Sequence, residues 1–235
     1  PLATTPCPVC MSARTSIITG QYSTTHRTYS NHHSGLRAEH DIVSLLRDNG
    51  YRTALIGKNH TYLTEKDADV FEFAPPGRDR AAQSKRLAWE KEVRRKQYPR
   101  LALEPAPGGI SGSADHARTD AALDFLSEAH KDDKPAFLWL SLHAPHTPYV
   151  ACEPFFSMYD SVELPPAACE SDGLAGKPLR QLLHARNEEI IGVSPPEQLD
   201  RMRRVYAAMV SMVDHQVGLV LDFLHSAGRE GGTLL

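Results

Sequence analysis

An almost uninterrupted apolar run late in the chain constrains the fold more than any other feature. From Ala136 to Leu142 only one of the residues is polar, which is typical of a β-strand covered on both faces. The run follows a helix predicted over residues 115–129, and a second strand, over 51–56, follows a helix predicted over 41–47. Helices that alternate with buried strands predict an α/β fold, a layered sheet with helices on both faces.

Composition narrows the possible classes of protein. The chain has 235 residues, 41% of them hydrophobic, and a net charge of −3, which is ordinary for a globular protein and argues against one built to bind nucleic acid. Since no window approaches the ~20 consecutive apolar residues of a membrane helix, we expect no membrane partner either. Four cysteines are too few for a disulfide scaffold.

The chain is predicted to form one domain over residues 1–235, interrupted by two variable excursions at about 74–113 and 151–196. Within the first, residues 78–100 carry nine basic and three acidic side chains, either a solvated helix face or a wall that attracts an anionic substrate. A long helix is predicted over 198–227, followed by a turn that enters a strand at 232–235.

The segment from Cys10 to Gly20 is the most informative for chemistry. We expect a helix over 12–19, with Ser12 as its N-cap and Gly20 just past its end, so that Cys10 lies just before the helix. Helix N-termini attract anions, and Arg14 adds a planar cation able to bind a tetrahedral oxyanion through two hydrogen bonds.

Two predicted strands end in further candidate residues. Lys58 and His60 follow the strand over 51–56, and His146 follows the strand over 136–142. Because ligands of α/β proteins bind beyond the carboxyl ends of the strands, these side chains and Arg14 predict one site for anion binding and proton transfer.

In order and spacing, these segments resemble the motifs of the sulfatase family within the alkaline-phosphatase-like superfamily. Residues 10–20 resemble the signature Cys-x-Pro-Ser-Arg-x-x-Leu-x-Thr-Gly, and residues 50–60 resemble the block Gly-Tyr-x-Thr-x-x-x-Gly-Lys-Trp-His. Residues 144–149 resemble the block Pro-His-x-Pro-Tyr, and residues 203–228 resemble the family's helix with a Tyr, Val, Asp and Val-Gly pattern.

The resemblance implies a sulfuric ester hydrolase whose nucleophile is formylglycine, made from Cys10 after synthesis. One hydroxyl of the hydrated aldehyde would attack sulfur and release the alcohol, and the second would lose its proton and expel sulfate. By the same resemblance, Arg14 orients the diol and Lys58 binds the sulfate and the nucleophile. His60 is then the base that collapses the diol, and His146 contacts the sulfate and the leaving oxygen.

The resemblance also implies a divalent cation, usually Ca²⁺, bound by Cys10 as formylglycine and by ligands that lie outside this chain. We therefore expect an internal fragment of a sulfatase-like protein. The implied partners are a small-molecule or carbohydrate sulfate ester and a formylglycine-generating maturation enzyme. The implied compartment is periplasmic or extracellular, although these residues contain no signal peptide.

Two positions depart from the motifs: Ser12 stands where the family has Pro or sometimes Ala, and Asn59 replaces Trp. Because the maturation enzyme reads the position of Ser12, a catalytically impaired sulfatase-like protein is one alternative. A phosphonate or phosphate monoester hydrolase of the same superfamily is another.

Two readings from other classes of protein remain open. One is a redox pair formed by Cys7 and Cys10 ahead of a helix. The other is a zinc site built from the histidines between residues 26 and 40, namely His26, His32, His33 and His40.

Overall fold

A computed structural model describes residues 4–32, 35–96, 101–166, 176–179, 181–183, 186 and 196–235. The elements in chain order are α1 (Cys10–Thr19), α2 (Ser23–His26), α3 (Ile42–Asp48), β1 (Arg52–Gly57), β2 (Val70–Glu72), α4 (Arg80–Lys96), α5 (Ala114–Lys131), β3 (Ala136–Ser141) and α6 (Pro196–Ser226). The alternation of helices and strands agrees with the predicted α/β class.

The three strands form one parallel sheet in the order β2-β1-β3. Ala54 of β1 pairs with Val70 of β2, and β1 runs beside β3 from Arg52 opposite Ala136 to Gly57 opposite Ser141. The carboxyl ends of β1 and β3 therefore lie side by side, as the sequence predicted for the two strand ends.

Alternate residues of β1 contribute to two different apolar clusters, because successive side chains of a strand point to opposite faces of the sheet. Leu55 packs in a cluster with Ile18 of α1 and Val43 of α3. Ala54 and Ile56 pack with α5, through Ala122 and Phe125. Helices therefore cover both faces of the sheet, as the α/β prediction requires.

The strand over 136–142 is less buried than its apolar run suggested. Phe137 to Leu140 are only half-buried, and Ser141 is the buried residue of β3. The reason is that β3 lies at an edge of the sheet in the part of the chain that the structure describes, whereas β1 lies between two strands.

The helix boundaries follow local capping chemistry. Asp41 and Ser44 form a capping box at the start of α3, since the Asp41 side chain accepts the backbone N–H of Ser44 and the Ser44 side chain accepts that of Asp41. Gly20 ends α1 in the left-handed conformation, with φ 66°. The long helix was expected to end at residue 227, and α6 ends at Ser226. Gly228, just beyond it, has φ 64°. A short 3₁₀ helix, Glu230–Gly232, follows α6 in place of the strand expected at 232–235.

The chain folds into two compact units. The first comprises Pro1–Gln83, Ser111–His143 and His215–Leu235, and it contains the sheet. The second comprises Ser84–Ile110 and Ala144–Asp214. Its core includes apolar side chains from both of its segments, among them Leu101, Val150, Phe155, Val205 and Met209. The expectation of a single domain over 1–235 stays a prediction.

By length and composition alone, residues 198–226 of α6 are apolar enough to cross a membrane. This differs from the expectation drawn from consecutive apolar residues. A buried core helix of a protein that is not inserted in a membrane can have the same length and composition. The expected absence of a membrane partner therefore stays a prediction.

Candidate active site

Helix α1 begins at Cys10, two residues earlier than the sequence suggested. The N-cap is Val9, which offers no side-chain hydrogen bond, and the first helical bond runs from the Ala13 N–H to the Val9 carbonyl oxygen at 2.8 Å. The prediction of Ser12 as the N-cap was therefore wrong. Cys10 is the first residue of the helix, where backbone N–H groups without helical acceptors create a partial positive charge.

Ser12 occupies the third position of α1 and is fully buried. Its hydroxyl has no hydrogen-bond partner among the residues that the structure describes. The first helical hydrogen bond is donated by Ala13, one residue later, so the backbone N–H of Ser12 has no acceptor within the helix. A proline at this position, as in the sulfatase signature, would cost the helix no hydrogen bond.

Arg14 reaches the carboxyl edge of the sheet. Its Nη1 donates to the carbonyl oxygen of Lys58 at 2.9 Å and to Oγ of Ser141 at 2.6 Å. Burial of the guanidinium lowers the pKa of Arg14, and the nearby Cys10 thiol acts in the opposite direction. Arg14 therefore lies close to Cys10 and at the ends of β1 and β3.

A glycine at the end of β1 allows the two strand ends to approach. Gly57 has φ 96°, and a Cβ atom there would lie 2.1 Å from the carbonyl oxygen of Ser141. The same carbonyl oxygen accepts the N–H of Lys58 at 3.1 Å. The close approach fixes the backbone of Lys58 at the edge that Arg14 reaches.

The turn after Lys58 is held by the side chain of Asn59. Its Nδ2 donates to the carbonyl oxygen of Leu63 at 2.6 Å, and its Oδ1 accepts the hydroxyl of Thr61 at 2.5 Å. His60 is half-buried within this turn and adopts a positive φ of 46°. The cavity beside Lys58 has a volume of about 10 Å³, room for about one water molecule.

His146 belongs to the second unit, whereas Cys10, Arg14, Lys58 and His60 belong to the first. Its side chain is exposed, and Nδ1 lies 2.8 Å from the carbonyl oxygen of Thr147. Because a carbonyl oxygen only accepts, Nδ1 carries a proton in this contact. The role of His146 at the site stays a prediction.

Sequence reasoning did not single out Asp115, which is buried in the first turn of α5. Its Oδ1 accepts Nη1 of Arg118 at 2.6 Å and the backbone N–H of His143 at 2.7 Å. The carboxylate thus holds the chain two residues beyond the end of β3. The available signal was the Ser113-x-Asp115 pattern at the predicted helix start, which periodicity alone treats as ordinary capping.

Two arginines of the basic segment are paired with carboxylates. Arg78 pairs with Asp124 at 2.7 Å and with Asp120 at 3.3 Å. Arg86, which is buried in the second unit, pairs with Glu90 at 2.6 Å. A wall that attracts anions therefore stays a prediction for the other cations between residues 78 and 100, some of which lie outside the described residues.

The redox-pair hypothesis and the zinc-site hypothesis gain no support in the described residues. Both ring nitrogens of His26 are engaged, since Nδ1 accepts the N–H of Thr28 at 3.1 Å and Nε2 lies 2.9 Å from Oγ of Ser16. His33 lies outside the described residues. Cys7 and Cys10 are free thiols, so the structure contains no disulfide between them.

A divalent cation does not find its ligands in the described residues alone. They contain no group of three or more His, Cys, Asp or Glu side chains arranged to hold a metal, whereas Ca²⁺ takes six to eight oxygen ligands. The expectation that the other ligands lie outside this chain stays a prediction.

The fold defines an α/β protein in which a helix carries an arginine to the carboxyl ends of two parallel strands. Residues 3–235 match the Sulfatase family, and the chain belongs to that family. The multifunctional alkaline phosphatase superfamily protein PehA of Trinickia caryophylli is 25% identical over 98% of this chain and 52% of its own. Mouse iduronate 2-sulfatase is 26% identical over 97% of this chain and 45% of its own.

The fold is also similar to a solved structure, the phosphonate monoester hydrolase of Agrobacterium radiobacter. The TM-score is 0.68 at 19% identity, over 96% of this chain and 52% of that one. The fold is therefore alkaline-phosphatase-like. This chain spans about half the length of the curated relatives that it matches.

Proposed function

We propose that the protein is a sulfuric ester hydrolase that cleaves a sulfate monoester through a formylglycine derived from Cys10. The observation that carries the proposal is the place of Arg14. It lies one helical turn from Cys10 and is hydrogen-bonded to the carbonyl oxygen of Lys58 and the hydroxyl of Ser141. A helix start and the Arg14 cation near the nucleophile suit a tetrahedral oxyanion.

Each proposed residue acts on the substrate in a defined way. When Cys10 is converted, the hydrate of its aldehyde supplies one hydroxyl that attacks sulfur and a second that later expels the sulfate. Arg14 and Lys58 bind the oxygens of the ester and neutralise the charge that develops during attack. His60 takes the proton of the second hydroxyl, and His146 contacts the sulfate and the leaving alcohol oxygen.

Mass spectrometry of the Cys10 peptide, from protein made in its natural host, tests the nucleophile. We expect an aldehyde or its hydrate at position 10 and turnover of an aryl sulfate. The variant Cys10→Ser should lose at least about 10³-fold in turnover, because a single hydroxyl cannot expel the sulfate that it has accepted. Cys7→Ser is the matched control and should retain activity.

An unmodified thiol together with full activity in the wild type would overturn the formylglycine proposal. An unmodified thiol without activity would instead favour the impaired sulfatase-like protein, with Ser12 as the cause. The redox pair would be favoured if Cys7→Ser lost activity and the wild-type protein formed a reversible disulfide between Cys7 and Cys10.

A phosphonate or phosphate monoester hydrolase is the second candidate. The similarity to PehA and to the fold of a phosphonate monoester hydrolase favours it, and the same cations would bind tetrahedral oxyanions of either element. Turnover of matched aryl sulfate, aryl phosphate and aryl phosphonate esters separates the two. A kcat/KM for a phosphorus ester well above that for the sulfate would reject the sulfatase proposal.

A further inference from the structure

The way in which Arg14 is anchored leaves one edge of its guanidinium available. Nη1 carries two N–H groups, and its two acceptors, the Lys58 carbonyl and the Ser141 hydroxyl, account for both. Among the described residues, no hydrogen bond engages Nε or Nη2 of Arg14. These two nitrogens form the edge that binds an oxyanion through two parallel hydrogen bonds.

We infer that Ser141 is a positioning residue that holds Arg14 with its Nε–Nη2 edge presented to the oxyanion of the substrate. The inference rests on the proposed function for the identity of that oxyanion. Ser141 does not act on the substrate in this arrangement, because its hydroxyl acts through Arg14.

The surroundings of Ser141 favour this role. The residue is 6% exposed, so water does not replace the hydroxyl easily if it is lost. Its carbonyl oxygen accepts the Lys58 N–H, and the Lys58 carbonyl accepts Nη1 of Arg14. Ser141 therefore contacts both segments that carry a proposed anion-binding cation, one through its backbone and one through its hydroxyl.

Removal of the Ser141 hydroxyl would change the orientation of the Arg14 guanidinium and leave its charge unchanged. With only the Lys58 carbonyl as acceptor, the guanidinium can rotate about that single hydrogen bond. A misplacement of about 1 Å costs roughly 10²-fold in a preorganised site. We therefore expect the loss to appear in binding of the oxyanion and in kcat, and not only in stability.

The experiment measures binding of inorganic sulfate by calorimetry and turnover of an aryl sulfate, both with the full-length protein. We expect Ser141→Ala to weaken sulfate binding by about 10- to 100-fold. Ser141→Thr, which keeps the hydroxyl and suits a strand, should restore most of the affinity. Thr53→Val is the matched control, because it removes a buried hydroxyl from the other end of β1, where Thr53 bonds Asp69 at 3.0 Å.

A second cycle separates positioning from general damage to the fold. In an Arg14→Lys background the planar fork is gone, so adding Ser141→Ala should change sulfate affinity by less than about 2-fold if the hydroxyl acts only through the fork. An equal loss in both backgrounds would overturn the inference, as would unchanged affinity in folded Ser141→Ala protein.

The two proposals fail in different ways. Sulfate binding that depends on Ser141, without hydrolysis of any ester, would leave the inference standing and reject the proposed function. Absence of sulfate binding in the wild-type protein would overturn the inference, since the Arg14 edge would then not be an oxyanion site.

Discussion

Nη1 of Arg14 lies 2.6 Å from Oγ of Ser141, although 127 positions separate the two residues in the chain. This bond joins the first turns of α1 to the carboxyl end of β3. Arg14 also bonds the end of β1, so one guanidinium fixes a helix against two strand ends. The arrangement makes the position of the candidate site depend on the geometry of the β1–β3 edge.

Gly57→Ala should disturb that edge directly. The new Cβ would lie 2.1 Å from the Ser141 carbonyl oxygen, and the positive φ adds strain of about 1–2 kcal/mol. We expect a loss of more than about 3 kcal/mol in the free energy of unfolding, measured in urea. Gly50→Ala is the control, since Gly50 has φ 85° but its Cβ would meet no atom within 4 Å. Equal losses in the two variants would contradict the close-approach argument.

Asp115→Asn should destabilise the first unit strongly. The variant would leave the buried Arg118 without its partner carboxylate. Nε of Arg118 already lacks a partner among the described residues. Breaking a buried pair costs about 3–5 kcal/mol. Asp132→Asn removes an exposed partner of Arg52 and should cost less than about 1 kcal/mol. Chemical unfolding measures both, and a similar cost for the two would count against a buried role for Asp115.

Ser12→Pro should be tolerated by α1, whereas Ala13→Pro should not. The N–H of Ser12 has no helical acceptor, but the N–H of Ala13 donates to the Val9 carbonyl at 2.8 Å. We expect a change below about 1 kcal/mol for the first variant and a loss of about 3 kcal/mol for the second. If the maturation enzyme reads this position, Ser12→Pro should also raise the converted fraction of Cys10, measured by mass spectrometry. An unchanged fraction would remove Ser12 as a cause of poor maturation.

The stability of the protein should fall as the pH drops below about 6.5, with a contribution from His26. Burial lowers the pKa of His26 below its usual value, so the unfolded chain binds a proton at a higher pH than the folded chain. The contribution is present above the unfolded pKa and is lost as the pH falls toward the folded pKa. Protonation would also break the bond that Nδ1 accepts from Thr28.

Unfolding free energies between pH 5 and 8 test this for the wild type and for His26→Gln. In the acid range, the slope of the unfolding free energy against pH should be smaller in the variant than in the wild type, by up to about 1.36 kcal/mol per pH unit. His40→Gln, which removes an exposed histidine, controls for the loss of an imidazole. A slope that His26→Gln leaves intact would mean that another group causes the acid sensitivity.

The sequence by itself determined the layers of the first unit and the edge at which polar residues gather. The apolar run at 136–142, the strand before Gly57 and the helical spacing between them are local patterns. Local patterns are sufficient to predict alternating strands and helices and to place Lys58, His60 and His146 beyond strand ends. The order and spacing of the motifs then predicted the family to which the chain belongs.

Only the tertiary structure decided how those residues are held. Helix α1 begins at Cys10 because the chain turns into the helix at Val9, not because a side chain caps it. Ser141 and Asp115 became partners of Arg14 and of the His143 backbone through contacts between distant segments. Periodicity shows which face of a helix or strand is apolar, but it cannot show which polar group across the sheet will meet a buried charge. That outcome depends on the strand register and on the close approach at Gly57, and both arise only when the whole sheet is packed.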